Sequence, residues 1–423
     1  MKNNQIEIMS PVGSLEALHA AIQAGAGSVY FGVEKLNMRA VSSKNFTLDD
    51  LRTIAGICNE HKVKSYLTVN TVLYDEDLSV MEDIIDAAKD SGISAIIATD
   101  ISAIQYAREQ DLEIHISTQQ NVSNSYAVKY FANFADVIVL ARELNLDQVR
   151  QICDTIKKDN ITGPSGNLVQ IEMFIHGALC MAVSGKCYLS LHAQNHSANR
   201  GDCLQICRRP YEVEDKTSGL HLEIDNEYIM SPKDLATIDF LDQILDAGVT
   251  VLKIEGRGRS PEYVKVVTRV YHEAVRAWQE GNYSEDKISH WREELDRVYN
   301  RGFWDGYYLG QTTGEWTDRH GSSATTKKVY VGKAVNYYTK INIADFLVED
   351  RDISLDDEFY IMGPTTGVIE GKLDKFMIER DGTQFEGKTA TKGDRITFHC
   401  DEKIRENDKL YKIVKTDRRS KGR

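Results

Sequence analysis

The chain has 423 residues and a formal net charge of −13, with 42% hydrophobic and 27% charged residues. This composition favours a packed core over disorder, and the acidic balance excludes a protein coated with basic residues for nucleic-acid binding, while leaving a local basic patch open. The sequence has no apolar run of about 18 residues and no signal-peptide core at its start, so we expect a cytoplasmic protein without a membrane-spanning helix.

Short apolar runs alternate with amphipathic helical stretches through the first 310 residues. The eight predicted strands are 6–9, 28–31, 66–69, 95–98, 113–117, 137–140, 169–175 and 251–254. Most are followed by a predicted helix, including 78–89, 101–108, 126–134, 146–157 and 261–278. Repeated strand–helix units predict a TIM-like (β/α)8 barrel, regular or distorted. A doubly wound sheet is the alternative, because a strand count does not establish closure.

A long polar segment, 176–224, interrupts this rhythm between the seventh and eighth strands. It follows the C-terminal end of a strand, which is where barrel enzymes carry their chemistry. We therefore expect residues 1–310 to form a catalytic barrel with a cysteine-rich insertion at 176–224.

The pattern changes after residue 310. Residues 279–310 predict a helix with an aromatic end, and 311–327 are polar and rich in Gly, Ser and Thr, which is typical of a linker. Strands at 329–335, 358–361, 367–375, 394–399 and 409–414 predict a small antiparallel β-barrel over 328–416. Residues 417–423 form a basic tail. We expect this tail to be solvated, and the alternative is that it faces RNA.

Four of the seven cysteines fall within one short stretch, namely Cys180, Cys187, Cys203 and Cys207. Thiolates suit zinc or iron–sulfur clusters, and the absence of a CxxC knuckle favours a 4Fe–4S cluster over zinc. Unligated or redox cysteines are the other alternative. We expect Cys58, Cys153 and Cys400 to be buried as small apolar residues.

A second candidate site follows the predicted eighth strand. Arg257 and Arg259 precede a helix that begins at Pro261, and the intervening glycines allow close approach of a ligand. A helix N-terminus with two arginines is suited to a carboxylate or phosphate. The alternative is a turn whose arginines pair with Glu255 or Glu262.

Polar residues at other strand ends extend this picture. Asn70, Gln119 and Arg142 each follow a predicted strand and are expected at the barrel mouth, with helix caps as the alternative. His176 and Arg200 lie near the cysteines and are candidate site residues. The alternatives are that His176 is a hydrogen-bonded structural residue and that Arg200 pairs with nearby acidic residues on a surface loop. The sequence has no HExxH, GxSxG or Walker A motif.

Several of these segments resemble the collagenase-like peptidase family U32. The resemblance covers about residues 5–310 and is carried by 10–13, 172–180, 185–190, 231–235 and 253–257. The C-terminal region resembles the translation-factor-like domain appended in that family. Other members of the family hydroxylate RNA or quinones, and are thought to carry an oxygen-sensitive 4Fe–4S cluster on cysteines of this signature.

The branch with a C-terminal barrel forms 5-hydroxyuridine at the wobble position of tRNA and requires prephenate. By this resemblance Cys180 and Cys187 match the family ligands, and Cys203 and Cys207 match the cysteines that follow an Asn-Arg-Gly segment. The quinone branch has a cluster-ligating cysteine where this chain has Ala236, so we expect Cys207 to replace it as the fourth cluster ligand.

The resemblance also implies roles and partners. We expect His176, Glu255 and Arg142 to be catalytic. The expected substrate-binding residues are Arg257, Arg259, Lys253, Arg200, Asn70 and Gln119. The expected partners are prephenate, the tRNA anticodon arm and a second copy or related family member, with no membrane. A peptidase of unassigned mechanism and a non-catalytic RNA-binding or assembly partner are the competing interpretations.

Overall fold

The computed structural model describes residues 6–41, 45–212, 216–217 and 228–416. The predictions about the first five residues and about the basic tail at 417–423 lie outside these described residues, as does part of the cysteine-rich insertion. None of the helices in the described ranges is long and apolar enough to cross a bilayer.

Eight parallel strands close into a barrel, which confirms the predicted fold and removes the doubly wound alternative. They are β1 (Glu7–Pro11), β2 (Ser28–Phe31), β3 (Lys64–Val69), β4 (Ala95–Ala98), β5 (Glu113–Ile116), β6 (Val137–Val139), β7 (Gln170–Ala178) and β9 (Val251–Ile254). Each pairs with the next in this order, and β9 pairs with both β1 and β7, which closes the ring. All eight predicted strands coincide with members of the barrel.

The helices form the outer layer of the barrel and begin where the sequence supplies caps. They are α1 (Leu15–Gln23), α2 (Asp50–Glu60), α3 (Leu78–Ser91), α4 (Ile101–Glu109), α5 (Ser125–Phe131), α6 (Leu146–Lys158), α8 (Leu241–Asp246) and α9 (Pro261–Glu280). Asn145 and Gln148 form a capping box at the start of α6, and Pro261 occupies the first turn of α9. The main apolar core lies between these helices and the strands.

The segment after β7 builds one side of the barrel mouth. It contains the short helix α7 (Leu189–Gln194) and then β8 (Asp234–Ala236), which pairs antiparallel with the end of β7. The predicted helix at 279–310 is instead the end of α9, a separate helix α10 (Glu285–Arg297) and a short strand β10 (Phe303–Trp304) that pairs with β8. These two extra strands anchor the mouth segment to the barrel.

The C-terminal region is an antiparallel β domain. Its main sheet contains β11 (Thr326–Tyr338), β12 (Ile343–Val348), β14 (Glu358–Gly363), β15 (Gly367–Lys372), β16 (Met377–Arg380), β17 (Thr383–Glu386), β19 (Arg395–His399) and β20 (Lys409–Lys415). A second pair joins β13 (Ile353–Ser354) and β18 (Thr389–Ala390). Both sheets enclose one apolar core centred on Phe346, Phe376 and Ile396.

The two domains pack through the first helix of the barrel. Ala20 of α1 is buried against Tyr360, Met362 and Val368 of the β domain, and we call these four residues the interface cluster. Beside it, the Gln23 side chain donates to the Thr366 carbonyl at 2.8 Å and accepts from the Val368 backbone N–H at 3.1 Å. The β domain is therefore fixed to the outside of the barrel by apolar burial and directed hydrogen bonds.

Candidate functional site

A cavity of about 230 Å³ lies at the C-terminal end of the barrel strands. Residues from β2, β3, β4, β7 and β9 and from the loops that follow the strands line it, together with the cysteine-rich segment. This is the end of a (β/α)8 barrel at which catalytic residues are generally found.

The four clustered cysteines all line this cavity. Cys180, Cys187, Cys203 and Cys207 are free thiols, each partly buried. The backbone N–H of Ala182 donates to the Cys180 Sγ at 3.4 Å, and the N–H of Leu189 donates to the Cys187 Sγ at 3.4 Å. Such N–H donors stabilise thiolates, and hydrogen bonds of this kind tune sulfur-ligated clusters.

Four cysteine thiols are suitable ligands for a metal group, but in this structure their side chains do not surround a common point as the ligands of a bound metal would. Burial, partly offset by the Arg208 guanidinium, raises the pKa of the Cys207 thiol to about 11, so this thiol must lose a proton before it can bind a metal. Within the described ranges no three His, Cys, Asp or Glu side chains converge at metal-ligating distance. The cysteines thus line one cavity, and their side chains must draw together to bind a common group.

Positive charge dominates the rest of the lining. Seven cations face the cavity: Arg39, Arg142, Arg208, Lys253, Arg257, Arg259 and Arg301. Three carboxylates form their ion pairs among the described residues, with Glu255 on Arg39, Glu172 on Lys253, and Asp234 shared by Arg259 and Arg301. An excess of this kind in a partly enclosed space favours an anionic ligand.

Three of these arginines, Arg142, Arg208 and Arg257, lack an acidic partner within ion-pair distance in the part of the chain described. Arg257 is 5% exposed and donates to the neutral side chains of Asn37 and Thr68, both at 3.0 Å. Burial lowers the pKa of Arg257 to about 10, which reflects a cation without a direct counter-ion. Arg142 lies over the Phe174 ring at 5.3 Å, and its buried Nε has no hydrogen-bond partner.

Glu255 is the acidic residue in the lining. Its Oε1 pairs with Arg39 at 2.8 Å and its Oε2 accepts from the Tyr30 hydroxyl at 3.1 Å. Burial opposes its ionisation, but the nearby Arg39 and Arg257 outweigh burial and hold the pKa of Glu255 below its usual value. Glu255 is therefore an ionised hydrogen-bond acceptor that orients Arg39.

A close backbone approach sets the position of Glu255. Gly177, at the end of β7, has a φ of +102°, and a Cβ there would lie 2.3 Å from the Glu255 carbonyl oxygen. Only glycine permits both the conformation and the contact.

The remaining predicted polar residues divide into two groups. Asn70, Gln119 and Lys253 line the cavity as expected, and Asn70 donates to the Ser117 hydroxyl at 3.3 Å. His176 lies behind the lining, 1% exposed, against Tyr271 and Phe303, and burial lowers its pKa to about 3. Arg200 lies outside the lining and pairs with Asp77 at 2.7 Å.

The cavity also contains residues that the sequence did not single out as site residues. Arg39 enters it from the loop after β2, and Arg301 from the segment before β10. Arg208, which the sequence predicted as a cation beside the cysteines, lines the cavity as well and donates to the carbonyls of Leu179 and Pro232. Arg39 lies well inside the loop that follows β2, which ends at Phe31, so a search of the residues directly after strand ends does not find it. Arg301 reaches the cavity through a strand that the pattern did not predict.

Comparison with known proteins adds an independent view. The profile of peptidase family U32 matches residues 13–318. A protein of Porphyromonas gingivalis named collagenase is 58% identical over 417 residues, which cover 99% of this chain and 100% of that protein. A tRNA hydroxylation protein of Bacillus subtilis is 33% identical over 340 residues, which cover 78% of this chain and 77% of that protein. A 23S rRNA 5-hydroxycytidine synthase of Escherichia coli is 32% identical over 323 residues, which cover 74% of this chain and 47% of that protein.

Proposed function

The chain belongs to peptidase family U32, and from that premise we propose that it is a prephenate-dependent iron–sulfur tRNA hydroxylase, or a subunit of one, that forms 5-hydroxyuridine at the wobble position. The observation that carries the proposal is a single cavity in which four free thiols and seven cations meet. Two relatives named for hydroxylated RNA support the same reaction class.

The thiols supply the ligands that the proposal needs. Cys180, Cys187, Cys203 and Cys207 would hold a 4Fe–4S cluster, and the backbone N–H groups at Ala182 and Leu189 would stabilise the first two thiolates. When bound, such a cluster supplies a redox centre or a Lewis acid at the cavity wall. The surrounding cations offset the negative charge that four thiolates bring.

The arginines without acidic partners supply a site for prephenate, which has two carboxylates. Arg142 and Arg257 are cations with no carboxylate at ion-pair distance among the described residues, and Arg259 faces the same cavity. A guanidinium matches a carboxylate with two parallel hydrogen bonds. A dicarboxylate would therefore compensate charge that the folded chain leaves unpaired.

The rim of the cavity offers contacts for an unstacked base. Asn70 and Gln119 present amide groups to the cavity, and such groups can read the edge of a base. Tyr188, which directly follows the lining residue Cys187, is 73% exposed. Single-stranded RNA is commonly held by stacking on exposed aromatic rings, and a reacting base must leave its stack.

The collagenase name of the relative at 58% identity makes peptidase activity the competing function. Peptide hydrolysis needs a nucleophile with a base, or an activated water. The lining contains no histidine in the described ranges, and its carboxylate, Glu255, is ionised and held by Arg39. These features favour anion binding over general-base catalysis near neutral pH.

Mass spectrometry of tRNA digests tests the proposal. A strain that lacks this gene and its paralogues should lose 5-hydroxyuridine, and the wild-type chain should restore it. Cys180→Ala should abolish restoration together with iron binding, which is about four atoms per chain in anaerobically purified wild-type protein. Arg142→Met should abolish restoration with the iron retained. Cys400→Ala is the matched control, because Cys400 is buried in the β domain.

The competing functions give different results in the same set. A peptidase would cleave gelatin as rigorously purified protein and leave 5-hydroxyuridine unchanged in the deletion strain. A non-catalytic RNA-binding partner would bind tRNA equally well as wild type and as Cys180→Ala, and both forms would restore the nucleoside. Either outcome would reject the hydroxylase.

A further inference from the structure

Charged side chains occupy the interior of the barrel, where (β/α)8 barrels usually stack apolar layers. We call Glu113 and His115 of β5, Glu172 of β7 and Lys253 of β9 the axial quartet. β5 and β7 are separated by β6 in the sheet, so the approach of His115 to Glu172 crosses the inside of the barrel. The side chains of His115 and Glu172 are 1% and 0% exposed.

The quartet forms a row of short contacts. Lys253 Nζ donates to Glu172 Oε1 at 2.6 Å, Glu172 Oε2 lies 3.6 Å from His115 Nδ1, and His115 Nε2 lies 3.2 Å from Glu113 Oε1. Lys253 lines the cavity at one end of the row. Glu113 is the first residue of β5 and its side chain is 39% exposed, so the other end meets water at the opposite face of the barrel.

The longest contact in the row joins two atoms that have no other partner. Glu172 Oε2 and His115 Nδ1 are both buried and have no hydrogen bond among the described residues. A shift of a few tenths of an ångström would bring them to hydrogen-bond distance. The interior therefore keeps one donor and one acceptor facing each other at the middle of the row.

The surroundings of His115 favour its charged form. Glu113 faces it from its own strand and Glu172 from β7, while the Tyr66 ring of β3 packs at 4.4 Å between centroids. The Tyr66 hydroxyl is directed away to Glu7, which also pairs with Lys64 at the barrel end. Burial opposes protonation of His115, but the two carboxylates outweigh burial and raise its pKa.

We propose that the axial quartet is a proton path that connects the cavity with water at the opposite end of the barrel. When a group in the cavity takes a proton from the Lys253 ammonium, the amine regains one from the His115 imidazolium through the Glu172 carboxyl. The imidazole then regains a proton from water through Glu113. One proton crosses the barrel, and every member returns to its starting state. The path goes beyond the proposed function, since it serves any proton-consuming step in the cavity.

Proton exchange at the buried imidazole tests the path independently of activity. The experiment uses the full chain with isotope-labelled histidine, and the His115 ring signals are assigned by their loss in His115→Gln. A connected path lets the ring N–H protons exchange rapidly with water despite their burial. Glu113→Gln should slow this exchange by at least about tenfold, because exchange must then wait for local opening. Glu109→Gln, which removes a carboxylate from the outer surface of α4, should leave the rate unchanged.

A structural ion-pair network gives a different result. In that case exchange at His115 is slow in the wild type, or it is equally fast in Glu113→Gln, and either result overturns the path. If Glu113→Gln does not fold, Glu113→Asp is the second variant. It keeps the negative charge, but its shorter side chain withdraws the carboxylate from His115. Exchange in that variant should slow in the same way, and an unchanged rate would reject the proposal.

Discussion

At the residue scale, the site depends on charges that are buried together. Glu172 is fully buried, and burial opposes its ionisation. Lys253 and His115 outweigh this cost and lower the pKa of Glu172. Lys253 also lies over the rings of Tyr30 and Phe174, at 4.6 and 5.4 Å from their centroids. A buried ion pair of this kind adds little net stability, but the loss of one partner is costly.

Removal of the cation therefore gives a strong prediction. Lys253→Met should lower the free energy of unfolding by about 3–5 kcal/mol, because the buried Glu172 carboxylate loses its partner at 2.6 Å and keeps only His115 at 3.6 Å. Urea denaturation measures the loss. Arg276→Met, which breaks the exposed pair of Arg276 with Glu280 at 3.5 Å, is the control and should cost about 0.5 kcal/mol or less. Equal losses in the two variants would contradict the prediction.

His176 gives a prediction about pH. Burial first, and then the nearby Arg259, lower its pKa from 6.5 to about 3, so the folded protein holds this imidazole neutral. Below pH 6.5 the unfolded chain binds a proton at this residue that the folded chain does not bind, and stability falls as the pH falls toward 3. Between about pH 7 and pH 5, the wild type should lose about 2 kcal/mol more than His176→Gln. Urea midpoints at both pH values measure the difference, and equal losses would place His176 in a solvated setting.

The sequence predicted residue types at the cavity better than it predicted individual roles. Cys180, Lys253 and Glu255 reach the lining because they stand at or just after strand ends, which the periodicity located, and the other three cysteines reach it within the long segment after β7. The pattern could not show that His176 points away from the cavity, since strand-end residues alternate in direction and a bulge follows Phe174. Arg200 is likewise satisfied by Asp77, a partner far away in sequence.

At the scale of elements, strands with a clear local sequence pattern were predicted, and strands with a weak pattern were missed. All eight barrel strands were predicted, because buried parallel strands read as short apolar runs between helices. β8 and β10 were missed because they have three and two residues, too few for any period to appear. In the β domain five strands were missed, namely β12, β13, β16, β17 and β18. β17 is exposed along its whole length, so it has no alternation of apolar and polar residues.

The end of β7 offers a test at this scale. Gly177→Ala should destabilise the protein by at least about 2 kcal/mol more than Gly92→Ala, since both glycines have positive φ but only the first faces the Glu255 carbonyl. Gly92 has no atom within 4 Å of its added Cβ and so isolates the backbone strain. Thermal or urea unfolding of the pair gives the comparison. Equal losses of stability in the two variants would show that the end of β7 moves away from the Glu255 carbonyl without cost.

At the scale of the whole molecule, the interface cluster makes the two domains act together. Val368 is completely buried between α1 and the β domain, and Arg269 of α9 adds an ion pair to Glu370 at 3.1 Å. Composition predicted the change from barrel to β strands, but it gave no information on which surfaces meet. Contacts between residues that are hundreds of positions apart leave no periodic signal.

A single substitution should separate the domains. Val368→Asp places a carboxylate in the interface cluster, and we expect calorimetry to show two unfolding transitions in place of the single one expected for the wild type. Val335→Asp, at a position 38% exposed on β11, is the control and should retain one transition. A single transition in Val368→Asp would mean that the domains are coupled by other contacts.

The docking of the β domain on α1 has a consequence for synthesis of the chain. Gln23 and the carbonyl it binds at Thr366 lie 343 positions apart. At elongation rates of about 5–20 residues per second, α1 leaves the ribosome roughly 20–70 s before the strands that cover it. During that interval the face of α1 that carries Ala20 and Gln23 is without its cover, and products of premature termination keep this face exposed permanently.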